Sequence, residues 1–297
     1  MNLGCSHRDL QGVREHAPGV TLMQNPSAIP PKTRKHLSFD PLIRQIRVRA
    51  EQLPETRDEA DCKYSMADAV MSAVALFALK DSSLLAFQER HNDVNMRRLF
   101  CIRQIPSDTQ MREILDPLEP DSLRPMFNDV LRQLQRGKAL ESYDFLDGYC
   151  LLSMDGSILK RFSWVTNLTI TSDNARHLVR GGRSRWKIEN ETFNTLKNQG
   201  YQFGHNFGHG KQNLSTIFVM LMMLAFLVDQ TQELCCPLFQ AVRKKRGTRR
   251  SLWDHQRSHF RHFEFTSMQH LHEVMLYDLA KELPVPTFAS RDRARVP

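Results

Sequence analysis

Two segments of this sequence are apolar on nearly every side of a helix, and they constrain the fold more than any other feature. Residues 65–79 are rich in Ala and Met, and residues 214–228 read LSTIFVMLMMLAFLV. A helix that is apolar all round must be buried in a large core or in a membrane. The second segment has fifteen residues, whereas a membrane span needs about 20. Lys211 and Asp229 bracket it closely, so we predict a buried core helix and no membrane partner.

The charge balance narrows the class of partner. Lys and Arg number 41 against 33 Asp and Glu, which leaves a net charge of +8. A surplus of this kind indicates a polyanionic partner, most often nucleic acid and less often an anionic membrane. The six cysteines lack CxxC spacing, and scattered thiols are typical of a reducing cytosol. The first residues lack the apolar run of a signal peptide, so we predict a cytoplasmic protein.

The first half of the chain divides into a tail and a helical region. Residues 1–37 contain several prolines and no sustained periodicity, which predicts a disordered N-terminal tail. Residues 38–140 predict a helical N-terminal region, because helix start and stop signals recur along them. These signals are Ser65 as a cap, Ser107 with Gln110 as a capping box, and Gly137 as a terminator.

The pattern changes after residue 140. Residues 149–156 form a short apolar run that closes on Asp-Gly, which is typical of a buried strand followed by a turn. Residues 164–171 alternate and are β-branched, which predicts a second strand that Asp173-Asn174 breaks. Residues 183–197 predict a helix. We therefore expect an α+β fold class, with strands as well as helices after residue 140.

Two carboxylates stand where metal chemistry could occur. Asp155 follows the first predicted strand, and Glu189 shares a helical face with Trp186 and Phe193. Oxygen ligands of this kind hold Mg²⁺, and paired Mg²⁺ ions promote phosphodiester transfer. Alone, an Asp-Gly is usually a turn and a Glu among cations is usually a solvated face. The cations near Glu189 could hold a phosphate backbone; they are Arg176, Arg180, Arg183, Arg185 and Lys187.

A resemblance joins these residues. Residues 185–189 (RWKIE) resemble the R-W-x-I-E core of the YREK signature in DDE transposases of bacterial insertion sequences, in the IS-four-type branch. Residues 190–210 extend the similarity, and residues 151–156 resemble the segment that holds the family's first catalytic aspartate. The resemblance implies an RNase H-like α/β catalytic domain with a basic C-terminal tail over residues 141–297. Such a domain cuts DNA at element ends and joins the strands to target DNA.

The resemblance also implies roles for individual residues. Asp155 and Glu189 would be catalytic residues and ligands of Mg²⁺, the family's cofactor. Arg185 would contact phosphate or clamp the site, and Lys197 would contact DNA. The partners would be the element ends, the target DNA and a possible second copy of the chain. The full set of implied DNA contacts is Arg183, Arg185, Lys187 and Lys197.

The sequence departs from the family pattern in ways that predict an incomplete domain. Gly182 stands where the signature has Tyr, and Leu196 stands where it has Lys, with Lys197 one position later. Only 33 residues separate Asp155 from Glu189, whereas the missing strands and helix of the fold need roughly 45. No residue in this interval fits the second catalytic aspartate. We therefore predict an internal deletion near residues 157–160.

Three functional interpretations follow. The first is a degenerate DDE transposase with little or no strand transfer. The second is a non-catalytic DNA-binding or dimerising remnant, carried by residues 38–140 and the basic C-terminal tail. The third is a chain that does not fold stably, because half a sheet leaves unpaired edges.

Other polar clusters have two interpretations each. His205 and His209 are four residues apart among glycines, and a turn that contacts DNA or the core is favoured over a metal site. The basic run 243–250 predicts either a DNA contact or a solvated face. The same choice applies to the cluster of His255, Arg257, His259, Arg261 and His262.

Overall fold

Helices form the regular structure of this chain wherever the computed structural model describes it, which is over residues 36–55, 57, 62–141, 169–183 and 192–279. Twelve α-helices occur in those ranges, with a 3₁₀ helix at Pro120–Leu123. The α-helices are α1 Phe39–Ala50, α2 Met66–Ala78, α3 Leu84–Gln88, α4 Val94–Leu99, α5 Asp108–Leu115, α6 Arg124–Arg136, α7 Ser172–Arg183, α8 Asn194–Asn198, α9 Leu214–Cys235, α10 Pro237–Arg246, α11 Arg249–His262 and α12 Met268–Tyr277.

The predicted α+β class with an RNase H-like catalytic domain is wrong, because the described residues contain helices and no strand. The predicted strand at 149–156 and residues 164–168 of the second lie outside the described residues. Residues 169–171 are described and do not pair as a strand. Thr171 instead accepts from the backbone N–H of Asn174 at 3.3 Å, and Asn174 accepts from the Thr171 N–H at 2.9 Å. This reciprocal pair starts α7 where a break was predicted.

The helical N-terminal region carries the predicted caps. The Ser65 hydroxyl accepts from the Asp68 N–H at 3.0 Å and starts α2. Ser107 accepts from the Gln110 N–H at 3.4 Å and donates to the Gln110 side chain at 3.0 Å. Gly137 stands at the C-cap of α6. The predictions at these positions are confirmed, because each depends on hydrogen bonds within one turn.

The two apolar segments form the centre of one core. Every residue of α2 is buried, and α9 packs along it. The predicted core helix at 214–228 is confirmed, although α9 continues to Cys235. Among the described helices, α9 alone is long and apolar enough to cross a membrane. A buried core helix can have the same length and composition. More than half of its most apolar window, 56%, is buried against the protein.

A buried ion pair joins the two core helices. Lys80 lies just after the end of α2. Its side chain is fully buried and pairs with the Asp229 carboxylate on α9. The Lys80 Nζ also donates to the Ala78 carbonyl at 2.9 Å. It lies 4.0 Å from the ring centre of Trp253 and 4.4 Å from that of Tyr201, within cation–π range. α9 continues beyond Val228 because Asp229, which would otherwise be costly to bury, finds this partner.

The pair is held by further polar contacts and by backbone geometry. The Tyr201 hydroxyl donates to Asp229, and the Arg257 guanidinium donates to the Lys80 carbonyl at 2.9 Å. Burial lowers the pKa of Lys80 and raises the pKa of Asp229, and each partner's charge opposes that shift. Lys80 itself has φ +58°, in the left-handed region where Gly is usual after a helix.

We expect Lys80→Met to destabilise the fold by about 3–5 kcal/mol, because it leaves the buried Asp229 carboxylate without its cation. Urea unfolding followed by circular dichroism measures the change. Lys138→Met is the matched control, since Lys138 has the same left-handed backbone but a side chain that is 76% exposed. The control should change stability by less than about 0.5 kcal/mol. A Lys80→Met value equal to the control would contradict the assignment.

A second buried titratable group, His272, predicts that the fold loses stability in acid. His272 on α12 is fully enclosed, with its ring edge-on to Phe239 at 5.5 Å between centres. Burial lowers its pKa from 6.5 to about 4. The unfolded chain therefore binds this proton more readily, and the stabilisation present above pH 6.5 is lost as the pH falls toward 4.

We expect the free energy of unfolding to fall by about 2 kcal/mol from this site alone between pH 8 and pH 5. Urea unfolding at both pH values measures it. His272→Leu should flatten this part of the pH dependence, whereas His262→Leu on the exposed face of α11 should leave it unchanged. An unaltered pH dependence in His272→Leu would show that the buried imidazole does not cause it.

Candidate anion-binding groove

A groove of about 500 Å³ opens between α1, α4 and the segment 101–104 that follows α4. Its walls are rich in arginine, with Arg47 from α1, Arg97 from α4 and Arg103 from the segment. Arg44, one turn before Arg47 on α1, interacts electrostatically with the Cys101 thiol in the groove wall. Arginine offers planar, bidentate donors that suit phosphate and carboxylate groups. The groove is therefore a candidate site for an anion.

The Asp68 carboxylate joins two walls of this groove through hydrogen bonds to Arg47 and to the segment 101–104. It lies in the first turn of α2 and accepts from the Arg47 guanidinium at 2.5 Å. It also accepts from the backbone N–H groups of Arg103 at 3.1 Å and Gln104 at 3.2 Å. Glu51 accepts from Arg47 at 2.9 Å on the other side. Because Arg47 is shared by two carboxylates, it positions the groove and contributes little free positive charge.

A buried amide places Arg97. Asn95 in the first turn of α4 donates to the carbonyls of Phe260 at 2.9 Å and Phe263 at 2.8 Å. Its side-chain oxygen accepts from the Phe265 N–H at 2.8 Å. These three bonds fix α4 against the end of α11. Arg97 follows two residues later and faces outward, as its exposure shows.

Three arginines remain available to a ligand. The side chains of Arg44, Arg97 and Arg103 are exposed and form no hydrogen bond or ion pair with another described residue. Arg98, next to Arg97, is different because it pairs with Glu264 at 3.0 Å. Burial raises the pKa of the Cys101 thiol although Arg47 and Arg44 oppose the rise, so the thiol stays neutral and adds no negative charge to the groove.

Most residues of the predicted catalytic site lie outside the described residues. This applies to Asp155, Arg185, Lys187 and Glu189, and to the side chain of Arg183, whose backbone ends α7. Lys197 is described and exposed on α8. No cluster of three or more His, Cys, Asp or Glu side chains able to hold a metal occurs in the described ranges. The Mg²⁺ site and its two carboxylates therefore stay a prediction.

Most cationic side chains of the basic run at 243–250 bond to other residues of the protein. Arg243 donates to the Gly247 carbonyl, Lys245 pairs with Asp278 at 2.6 Å, Arg246 donates to the Met275 carbonyl at 2.8 Å, and Arg249 pairs with Glu233 at 2.7 Å. These bonds tie α10 and α11 to α9 and to the end of α12. Lys244 and Arg250 stay exposed without a described partner. The run is therefore mainly structural.

The histidine clusters also have internal partners. On α11, the His255 and His259 rings each contact the backbone carbonyl one turn earlier at 2.8 Å, and Arg257 caps the end of α2. These contacts favour a solvated basic face on α11 over a DNA contact. His205 is exposed, and its ring packs edge-on against Phe207 at 4.6 Å.

No linear motif marks the arginine groove, and no pattern in the sequence predicts it. Its free cations come from three separate elements, and each has ordinary neighbours in the sequence. The only signal is the Arg97–Arg98 pair close to Arg103, and this is weaker than the run at 243–250. Contacts across α1, α2 and α4 bring these residues together.

The comparisons with known proteins add no family: no family model, curated protein or solved structure shows significant similarity to this chain. The transposase resemblance of residues 185–189 accordingly stays a prediction.

We expect Asp68→Asn to destabilise the fold by about 2–4 kcal/mol, because the amide cannot neutralise buried Arg47 while accepting from two backbone N–H groups. Urea unfolding measures the loss. Asp121→Asn is the control, since Asp121 is 80% exposed and pairs only with exposed Arg124; it should change stability by less than about 0.5 kcal/mol. Equal effects in the two variants would exclude Asp68 as the anchor of segment 101–104.

Proposed function

We propose that this chain binds DNA non-catalytically through the phosphate backbone, with the arginine groove as the contact surface. The observation that carries the proposal is the set of three exposed arginines, Arg44, Arg97 and Arg103, around a groove whose carboxylates are already engaged. Phosphate contacts from such side chains supply most sequence-independent affinity for DNA. The net charge of +8 supports the same class of partner.

A polymeric anion fits the groove better than a single small anion. The groove is open, and its cations approach from separate helices instead of converging on one buried point. An enclosed site for one phosphate would need buried donors directed at a common position. A backbone with regularly spaced phosphates can instead engage Arg97 and Arg103 at neighbouring positions.

The proposal concerns binding alone, and DNA cleavage by Asp155 and Glu189 remains a prediction. A cytoplasmic location, Mg²⁺ dependence, a second copy of the chain, and element ends as specific partners likewise remain predictions. They would add sequence preference or chemistry to a binding surface that consists of different residues.

We expect Arg97→Ala with Arg103→Ala to weaken binding of a blunt 30-base-pair duplex about tenfold near 100 mM salt. The slope of log affinity against log salt should fall by about 2, because two phosphate contacts and their released counterions are lost. Fluorescence anisotropy of labelled DNA measures both quantities. The exposed positions of both arginines predict an unchanged thermal midpoint.

The control is a double variant that removes two positive charges from a different surface. Arg124→Ala with Arg132→Ala removes two arginines that are 71% and 64% exposed at the start and on the surface of α6. It should weaken duplex binding less than about twofold and leave the salt slope nearly unchanged. If the wild-type chain fails to bind the duplex, or both double variants lose affinity equally, the groove is not a DNA-binding surface.

A further inference from the structure

A second cavity lies on α9, apart from the residues of the arginine groove. It measures about 300 Å³ and opens between residues 203–209 and the first turns of α9. Its apolar walls include the buried Phe207, Phe218 and Met222. Val219 completes the wall and is 42% exposed, so the cavity is accessible from solvent.

The glycine-rich segment, residues 200–210, lines this cavity and is anchored by hydrogen bonds. The Asp116 carboxylate accepts from the backbone N–H groups of Lys211 at 2.7 Å and Gln212 at 3.0 Å. Gly210 has φ +65°, and a Cβ there would come within 2.2 Å of that carboxylate, so this close approach requires Gly. Arg112 donates to the Phe207 carbonyl at 3.1 Å. Bonds at Phe207 and just after Gly210 thus shape the cavity without a ligand.

Among the residues that the structure describes, the rim of the cavity carries mixed donors and acceptors and no carboxylate. His205, Asn206, His209 and Ser215 surround the opening. The exposed side chain of Lys211 is adjacent in sequence to this rim and has no described partner. An apolar slot with an imidazole, amide and hydroxyl rim suits a flat heterocycle with polar edges. The described lining residues include no acid, and this and the nearby lysine suit an attached phosphate.

We propose that this cavity binds one unpaired nucleobase of a nucleic acid strand. The volume lies at the lower end of the range of about 300–1,000 Å³ for small-ligand sites, which favours a single base over a larger ligand. Proteins that bind single strands use aromatic side chains as stacking surfaces beside cationic groups. The choice of nucleic acid rests on the proposed DNA binding, and the cavity would direct the chain to DNA with unpaired bases.

The first experiment tests the cavity without phosphate. Deoxyadenosine is titrated to millimolar concentration into the full-length chain, and the ring signals of His205 and His209 are followed by NMR. We expect saturable shifts in the wild type, their loss in Val219→Glu and their retention in Leu234→Glu. The two variants add the same charge to exposed positions of α9, which are 42% and 37% exposed. N-acetyltyrosinamide serves as the probe for an aromatic side chain of a protein partner.

The second experiment uses DNA. We expect a duplex with a ten-nucleotide single-stranded overhang to bind about tenfold more tightly than the blunt duplex, because one base gains a stacking surface. Val219→Glu should remove this advantage and retain blunt-duplex binding, whereas the Arg97/Arg103 double variant should weaken both. Failure of blunt-duplex binding alone would contradict the proposed function but not the cavity.

The cavity proposal is overturned if deoxyadenosine causes no saturable shift, if Val219→Glu and Leu234→Glu respond alike, or if only N-acetyltyrosinamide binds. It is equally overturned if a wild-type chain that binds DNA shows no preference for the overhang.

Discussion

The buried pair of Lys80 and Asp229 is the constraint on which the rest of the core depends. It connects the end of α2 to the middle of α9, the two helices that form the centre of the core. Tyr201 and Trp253 enclose the ammonium group, so the start of the glycine-rich segment and helix α11 converge on the same point. A buried ion pair contributes less to stability than its Coulomb attraction, but losing one partner is severe. The pair therefore specifies which surfaces of α2, α9, α11 and the segment around Tyr201 meet.

The backbone at Lys80 shows how strongly this arrangement is enforced. The N–H of Asp81 bonds to the Leu76 carbonyl at 3.1 Å, and the N–H of Lys80 bonds to the Phe77 carbonyl at 3.2 Å. This is a Schellman termination, whose left-handed position usually holds Gly. A lysine there bears a conformational cost of about 1–2 kcal/mol. Gly200, with φ +105°, approaches the Lys80 side chain where a Cβ would come within 2.9 Å. The strained lysine and the unsubstituted glycine thus fit together.

What the sequence could predict depended on the range of the interactions involved. The caps at Ser65 and Ser107 and the burial of α2 and α9 follow from patterns within a few turns, and these predictions were confirmed. The α+β class failed because it followed from the resemblance and from short apolar runs, whereas the described chain after residue 168 is helical. The arginine groove could not be predicted, since Arg44, Arg97 and Arg103 meet only through the contacts of Asp68 and Asn95.

The use of acidic side chains explains why a modest charge surplus leaves cationic surfaces. Asp40, Asp68 and Asp116 each accept from two or more backbone N–H groups of another segment. These carboxylates hold α12, the groove segment and the glycine-rich segment in place, and their negative charge is engaged with those donors. Arginines near Asp40 and Asp68 consequently face solvent with few competing acids. The same carboxylates that order the loops therefore leave the arginine groove, and Lys211 beside the cavity on α9, free to meet phosphate groups.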